Sequence, residues 1–186
     1  MSRYKFTGLY RLAAGTAMTA ALLAFAPAVK AQEFSQGVEF AVGASYNSND
    51  DGSKVDLSAL AIRYHYDWNE RWGIEASYTN QDQDFLEADI YEISARFAFF
   101  QNERVKVFAF AGGGWLSYEY ALLIGPEAVN YGSNDTVVFT SGIAAEISLG
   151  DRFYLRPEIR ERFAFDIFGP YDESSTELTL AVGYRL

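Results

Sequence analysis

From Gly37 to the last residue, apolar and polar side chains alternate with a period of two, the mark of strands with two unlike faces. In the first stretch Val38, Phe40, Val42, Ala44 and Tyr46 oppose Glu39, Ala41, Gly43 and Ser45. In the second, Leu60, Ile62, Tyr64 and Tyr66 oppose Ala59, Ala61, Arg63 and His65; in the third, Trp72, Ile74, Ala76 and Tyr78 oppose Gly73, Glu75, Ser77 and Thr79. The fourth sets Tyr91, Ile93, Ala95, Phe97 and Phe99 against Glu92, Ser94, Arg96 and Ala98. The fifth sets Phe108, Phe110, Leu116 and Tyr118 against Ala109, Ala111, Gly113, Trp115 and Ser117, with three glycines interrupting it. The sixth sets Val137, Phe139, Ile143, Ala145 and Ile147 against Val138, Thr140, Gly142, Ala144 and Glu146. The seventh sets Phe153, Leu155, Ile159, Phe163 and Phe165 against Tyr154, Arg156, Glu158, Arg160 and Arg162. The eighth sets Leu178, Leu180, Val182, Tyr184 and Leu186 against Thr179, Ala181, Gly183 and Arg185.

Connection lengths alternate as well. Tight turns are expected at Asp67–Arg71, Gln101–Arg104 and Gly150–Asp151, and longer polar loops at Asn47–Lys54, Asn80–Asp89, Glu119–Asp135 and Asp166–Ser175. Short turns on one side and long loops on the other fit a meander that crosses a membrane. The reading is an all-β, eight-stranded, antiparallel up-and-down transmembrane β-barrel.

The distribution of charge decides which face meets lipid. Twelve charged residues fall in these windows, and eleven share the polar face: Glu39, Arg63, Glu75, Glu92, Arg96, Glu146, Arg156, Glu158, Arg160, Arg162 and Arg185. Only Glu161 falls on the apolar face. Arg or Lys facing hydrocarbon at mid-depth costs about 2–4 kcal/mol. Eleven such charges cannot face lipid, so the charged face is the lumen. A soluble ligand-binding barrel has the opposite polarity. Eight strands enclose a space that side chains alone can fill. Arg presents a planar fork that binds carboxylates at two points, so these groups are expected to interlock as a plug with a net charge of +1. Pro157 within a strand suggests a bulge. Trp115 is expected to fill lumen space above Gly112, Gly113 and Gly114.

Aromatic residues cluster at strand ends, as interfacial girdles do. Tyr66, Trp68, Trp72, Phe99, Phe100, Phe153 and Tyr184 fall near the short turns; Tyr46, Tyr78, Tyr118, Phe165 and Phe168 fall near the long loops.

Composition changes the picture at the N-terminus. Arg3, Lys5 and Arg11 precede an uncharged run from Leu12 to Ala26, too short to span a bilayer, and Val29-Lys30-Ala31 offers a small-x-small cleavage pattern. Residues 1–31 read as a signal peptide, with a cut after Ala28 as the weaker alternative, and residues 32–186 as the barrel domain. Of the 15 basic and 25 acidic groups, the leader holds four, all basic, so the mature chain carries 11 against 25, a net charge of −14. An acidic chain is a poor nucleic-acid partner. With no cysteine, a disulfide scaffold and a thiolate-held metal are excluded.

The C-terminal strand Leu178-Thr179-Leu180-Ala181-Val182-Gly183-Tyr184-Arg185-Leu186 resembles the terminal assembly signal of small outer-membrane β-barrel proteins of Gram-negative bacteria, the OmpA/OmpX-like and opacity-porin-like group. Val107–Gly114 and Leu155-Arg156-Pro157-Glu158 are also similar to strand segments common there. The chain departs from the group by ending in Leu186 rather than Phe, and no peptidoglycan-binding domain is expected after the barrel. The resemblance implies a monomer in the cell outer membrane. Its partners would be lipid, lipopolysaccharide and the barrel-insertion machinery, which would read Leu178, Leu180, Val182, Tyr184 and Leu186. No cofactor is implied.

Candidate chemistry is sparse. His65 is the single histidine. It lies near a short turn and lacks the His–Ser motif of outer-membrane lipid enzymes, so it reads as a hydrogen-bonding lumen residue rather than a catalytic one. Asn49-Asp50-Asp51-Gly52 lacks calcium-loop spacing. The remaining loop acids, Asp82, Asp84, Glu87, Glu119, Glu127, Asp135, Asp172 and Glu173, suggest contacts to lipopolysaccharide phosphates through divalent cations. The chain is expected not to be an enzyme. Three roles stay open: a structural or surface-interaction barrel, a narrow porin, and a lipid-modifying enzyme.

Overall fold

The structure, a computed structural model, describes residues 35–48, 54–83, 86–124, 127–164 and 174–186. The leader (1–31), the Asn49–Gly52 segment, Asp84, Phe165, Phe168, Asp172 and Glu173 lie outside them. Eight antiparallel strands form a closed barrel in sequence order: β1 (Ser35–Ser48), β2 (Lys54–Asp67), β3 (Trp72–Gln83), β4 (Leu86–Gln101), β5 (Val105–Ile124), β6 (Glu127–Ser148), β7 (Phe153–Ala164) and β8 (Ser174–Arg185). The barrel closes by pairing of β1 with β8, from Gly37↔Arg185 to Asn47↔Ser175. The turns at 68–71, 102–104 and 149–152 and both ends of the barrel chain share one end, called here the turn end. The other is the loop end.

Period-two burial matches period-two hydropathy along most of the wall. Phe40, Val42, Leu60, Ile74, Ile93, Phe139, Ile143, Ile159, Leu180 and Val182 are exposed on the outer face, while the charged positions between them are buried. An apolar exterior around a charged interior is the polarity of a lipid-facing barrel.

The fifth strand runs opposite to the expected phase. Phe108, Phe110, Leu116 and Tyr118 point inward and are buried, and Trp115 is 49% exposed on the outer face. Tyr118, at 0% exposure, is therefore a lumen residue and no part of a girdle. Hydropathy misleads here because both faces of β5 are apolar or small. Room for the inward rings comes from glycine on the neighbouring strand. Gly142 pairs with Phe110, and a Cβ at Gly142 would lie 2.4 Å from the Phe110 ring.

Two expected loops are in fact strand. β3 and β4 pair as far as Gln83↔Leu86, and β5 and β6 pair as far as Ile124↔Glu127. Past the lipid boundary both faces of a strand can be polar, so the alternation that marks a strand disappears. The bulge expected at Pro157 is absent. The β6–β7 register is the same at Ala144↔Glu158 and Ile147↔Leu155, with the ladder open between them, where Pro157 has no N–H to donate. The register slips instead between Ala98 and Phe100, and both Phe99 and Phe100 face outward.

Candidate functional site

The inward residues of β7 build the site. Arg156, Glu158, Arg160 and Arg162 occupy alternate positions and so share the lumen face. In a barrel of eight strands taken in order, β7 lies across from β3, and these side chains reach it. Arg156 Nη1 donates to Glu75 on β3 (2.5 Å) and to both oxygens of Glu39 on β1 (2.9 and 2.8 Å). Arg156 Nη2 donates to Glu158 (2.5 Å). Arg160 joins Glu75 (2.9 Å), Glu92 (2.5 Å) and Glu158 (2.8 Å). Arg162 joins Glu92 (2.9 Å) and Glu177 (2.6 Å). Arg63 on β2 reaches Glu158 at 3.0 Å and donates to Thr179.

Aromatic rings pack against the guanidinium groups. Arg96 lies 4.1 Å and Arg156 4.8 Å from the centre of Phe108, and Arg160 lies 4.6 Å from that of Phe110. Such stacking is favourable in a desolvated site, and it gives a physical reason for the inward phase of β5. Toward the loop end Ala88, Ile90, Leu116, Tyr118 and Val138 form a buried apolar cluster on the inner faces of β4, β5 and β6.

Toward the turn end the network becomes mixed. Arg96 pairs closely with Glu146. Lys106 holds Asp67 at 2.6 Å, which adds a Lys and an Asp to the Glu and Arg residues of the lumen. Arg185 is more exposed than the others; it lies 4.0 Å from Glu146 and donates to Ser148. His65 is buried, with Nδ1 3.3 Å from Glu39 and 3.4 Å from the Tyr154 hydroxyl, which itself donates to Glu39 (2.8 Å). A cavity of about 480 Å³ opens at this end, lined among others by Asp67, Lys106, Glu146 and Arg185.

Sequence reasoning overlooked Glu177 and Asp67. Glu177 lies two residues before Thr179, so one more step of the same alternation finds it. With them, the described lumen holds seven buried carboxylates (Glu39, Asp67, Glu75, Glu92, Glu146, Glu158, Glu177) against five buried Arg (Arg63, Arg96, Arg156, Arg160, Arg162). The interior is therefore acid-rich rather than +1 before the rim cations Lys106 and Arg185 are counted. Through Glu39 and Glu177 the network joins β1 and β8 to β2, β3, β4 and β7.

The turn-end aromatics Trp68, Trp72, Phe99 and Phe153 are exposed on the outer wall, and Tyr66 and Tyr184 are half-buried there. Tyr184 packs edge-on against Phe153 and accepts from Arg152 (2.6 Å). At the loop end Tyr46 is exposed, but Tyr78 is buried. Its hydroxyl donates to Asp89 (2.7 Å), and its ring lies against Tyr91. Glu161, the one charge on the apolar face, accepts from Thr176 (2.7 Å). In the C-terminal strand Leu178, Leu180 and Val182 are exposed outward, and the Leu186 amide donates to Gln36.

Close approach makes Gly183 sensitive. A Cβ there would lie 2.0 Å from Tyr154 Cζ, so the ring that holds Glu39 would have to move. Overpacking of this kind costs about 1–3 kcal/mol. Gly183→Ala should lower the urea midpoint in detergent micelles with an unchanged slope.

No curated protein matches the chain in sequence. Solved structures similar to it are membrane barrels. Neisserial surface protein A is 14% identical, with 83% of this chain and 98% of that chain covered at a TM-score of 0.60. Ail, the attachment invasion locus protein of Yersinia pestis, is 15% identical, with 82% and 97% covered at 0.55. A major outer membrane protein from Thermus thermophilus is 10% identical, with 81% and 99% covered at 0.62. At these identities the likeness shows the fold. The profile described as "Outer membrane protein beta-barrel domain" matches residues 16–185. The greasy exterior, the ionic interior and that match agree, and the chain belongs to the outer-membrane β-barrel protein family.

Proposed function

We propose that this protein is a non-conducting barrel of the cell outer membrane with a structural or surface-interaction role, and not an enzyme. One observation carries the reading: Arg156 and Arg160 on β7 contact Glu75 across the full width of the lumen while remaining 0% exposed. A passage wide enough for hydrated ions would wet these groups. Buried ion pairs that span the interior brace opposite walls and leave the exposed ends to interact. On this reading the turn end faces the periplasm, after cleavage of residues 1–31, and the loop end faces outward. There Asp82, Glu87, Glu119 and Asp135 meet lipopolysaccharide phosphates through divalent cations. The C-terminal strand presents Leu178, Leu180, Val182, Tyr184 and Leu186 to the insertion machinery. Attachment, which the name of the Ail structure gives for that protein, fits a closed barrel that works through its outer end.

Planar-bilayer recording tests this. Purified protein should insert without steady openings. Stable conductance in the nanosiemens range would replace the plugged barrel with a porin.

A further inference from the structure

Glu161 stands on the outer wall of β7 between Ile159 and Phe163, both exposed. It is the eighth residue after Phe153, which belongs to the turn-end girdle. At about 3.3 Å per residue and a strand tilt of about 40°, it lies about 20 Å above that girdle, inside an apolar band about 25 Å tall. A carboxylate at this height faces acyl chains from a point that headgroups at the loop end can reach.

Cross-strand register surrounds it with hydroxyls. Ser141 on β6 pairs with Glu161, Glu161 with Thr176 on β8, and Thr176 with Tyr46 on β1. Directly paired residues share a face, so these four side chains form one polar strip, about 14 Å across at the usual strand spacing. Thr176 donates to Glu161 Oε1 at 2.7 Å. Among the described residues Glu161 has no other side-chain partner, and the exposed Ser141 and Tyr46 have none for their hydroxyls. Beneath the strip, toward the turn end, Ile143, Ile159 and Leu178 restore an apolar surface. The wall thus presents an acceptor-only carboxylate flanked by free donors, above a surface suited to acyl chains.

Charge complementarity selects the occupant. A second copy docked two-fold on this strip would bring two Glu161 carboxylates together, and like charges oppose that contact. An acyl tail leaves every one of these polar groups unpaired. A headgroup ammonium meets the carboxylate, and the phosphate joined to it by an ethylene bridge meets the flanking hydroxyls. We propose that Ser141, Glu161, Thr176 and Tyr46 form a lipid site on the outer wall, selective for a phospholipid whose headgroup carries a primary ammonium. The site needs only a lipid-facing wall, so it stands or falls independently of the closed lumen.

Competition between two phospholipids tests it. The folded, leader-free protein is equilibrated in mixed micelles holding phosphatidylethanolamine and phosphatidylcholine in equal amounts, with identical chains and EDTA present. The two lipids carry the same charge, but trimethylation removes the N–H donors. Native mass spectrometry should find phosphatidylethanolamine retained at least fivefold over phosphatidylcholine. Glu161→Gln should bring the ratio close to one, and Glu161→Asp, which keeps the charge, should preserve most of the preference. Heat-modifiable gel mobility reports that each variant is folded. A ratio near one for the unaltered chain would overturn the proposal, and so would a preference that survives Glu161→Gln. A preference seen only without EDTA would assign Glu161 to a bridging divalent cation and overturn it as well.

Discussion

Replacing Arg156 with Leu should lower the unfolding free energy by about 3–5 kcal/mol, the cost of leaving buried charges without their partner. Arg156 is the only guanidinium within hydrogen-bonding distance of Glu39 among the described residues, and it also bonds Glu75 and Glu158. Its removal leaves the fully buried Glu39 carboxylate with the neutral Tyr154 hydroxyl as a donor and the nearest remaining guanidinium, that of Arg63, 3.9 Å away. Urea unfolding in micelles, followed by tryptophan fluorescence, measures the loss. Adding Glu75→Leu should cost less than the sum of the two single changes, because contacting residues couple. A loss below about 1 kcal/mol for Arg156→Leu, far under the buried-pair cost, would mean that water enters the lumen, and the closed-barrel function would fall with it.

The second large effect concerns the outer wall. Leu180 lies mid-strand on β8, outward, paired with Val42 and Pro157. Leu180→Arg puts a charge among acyl chains and should cost about 2–4 kcal/mol when the protein is unfolded from bilayers. The same change at Trp68, in the turn-end girdle, should cost under about 1 kcal/mol, because the penalty fades toward the interface. Equal costs at both positions would contradict a membrane-spanning wall at Leu180.

The eight strands could be read from the sequence because lipid imposes a sharp rule on one face only. Where a charged residue alternates with Phe, Ile or Leu, as in Arg156 to Phe163, a single phase is affordable. The rule fails on β5. Phe108 and Phe110 look like lipid-facing residues, but they stack beneath Arg96, Arg156 and Arg160, a contact that depends on β4 and β7. No local pattern reveals it. Strand lengths were hidden for a related reason. From Glu119 to Asp135 apolar residues such as Ala121 to Ile124 and polar ones such as Ser133 to Asp135 follow one another directly, so no alternation marks one face. Glu177 was within reach of the alternation and fell just outside the window read as strand. The contacts of His65 and Tyr154 with Glu39 were not readable, because they depend on how strands distant in sequence meet inside the barrel.

The pairing of β1 with β8 has a consequence for biogenesis. The first strand finds its second neighbour only in the eighth, so the circle cannot close before the six strands between them are in place. Until then two rows of backbone amides and carbonyls stand open, an invitation to wrong partners. Removal of part of β8 would leave that gap open, with the edge of β1 unpaired.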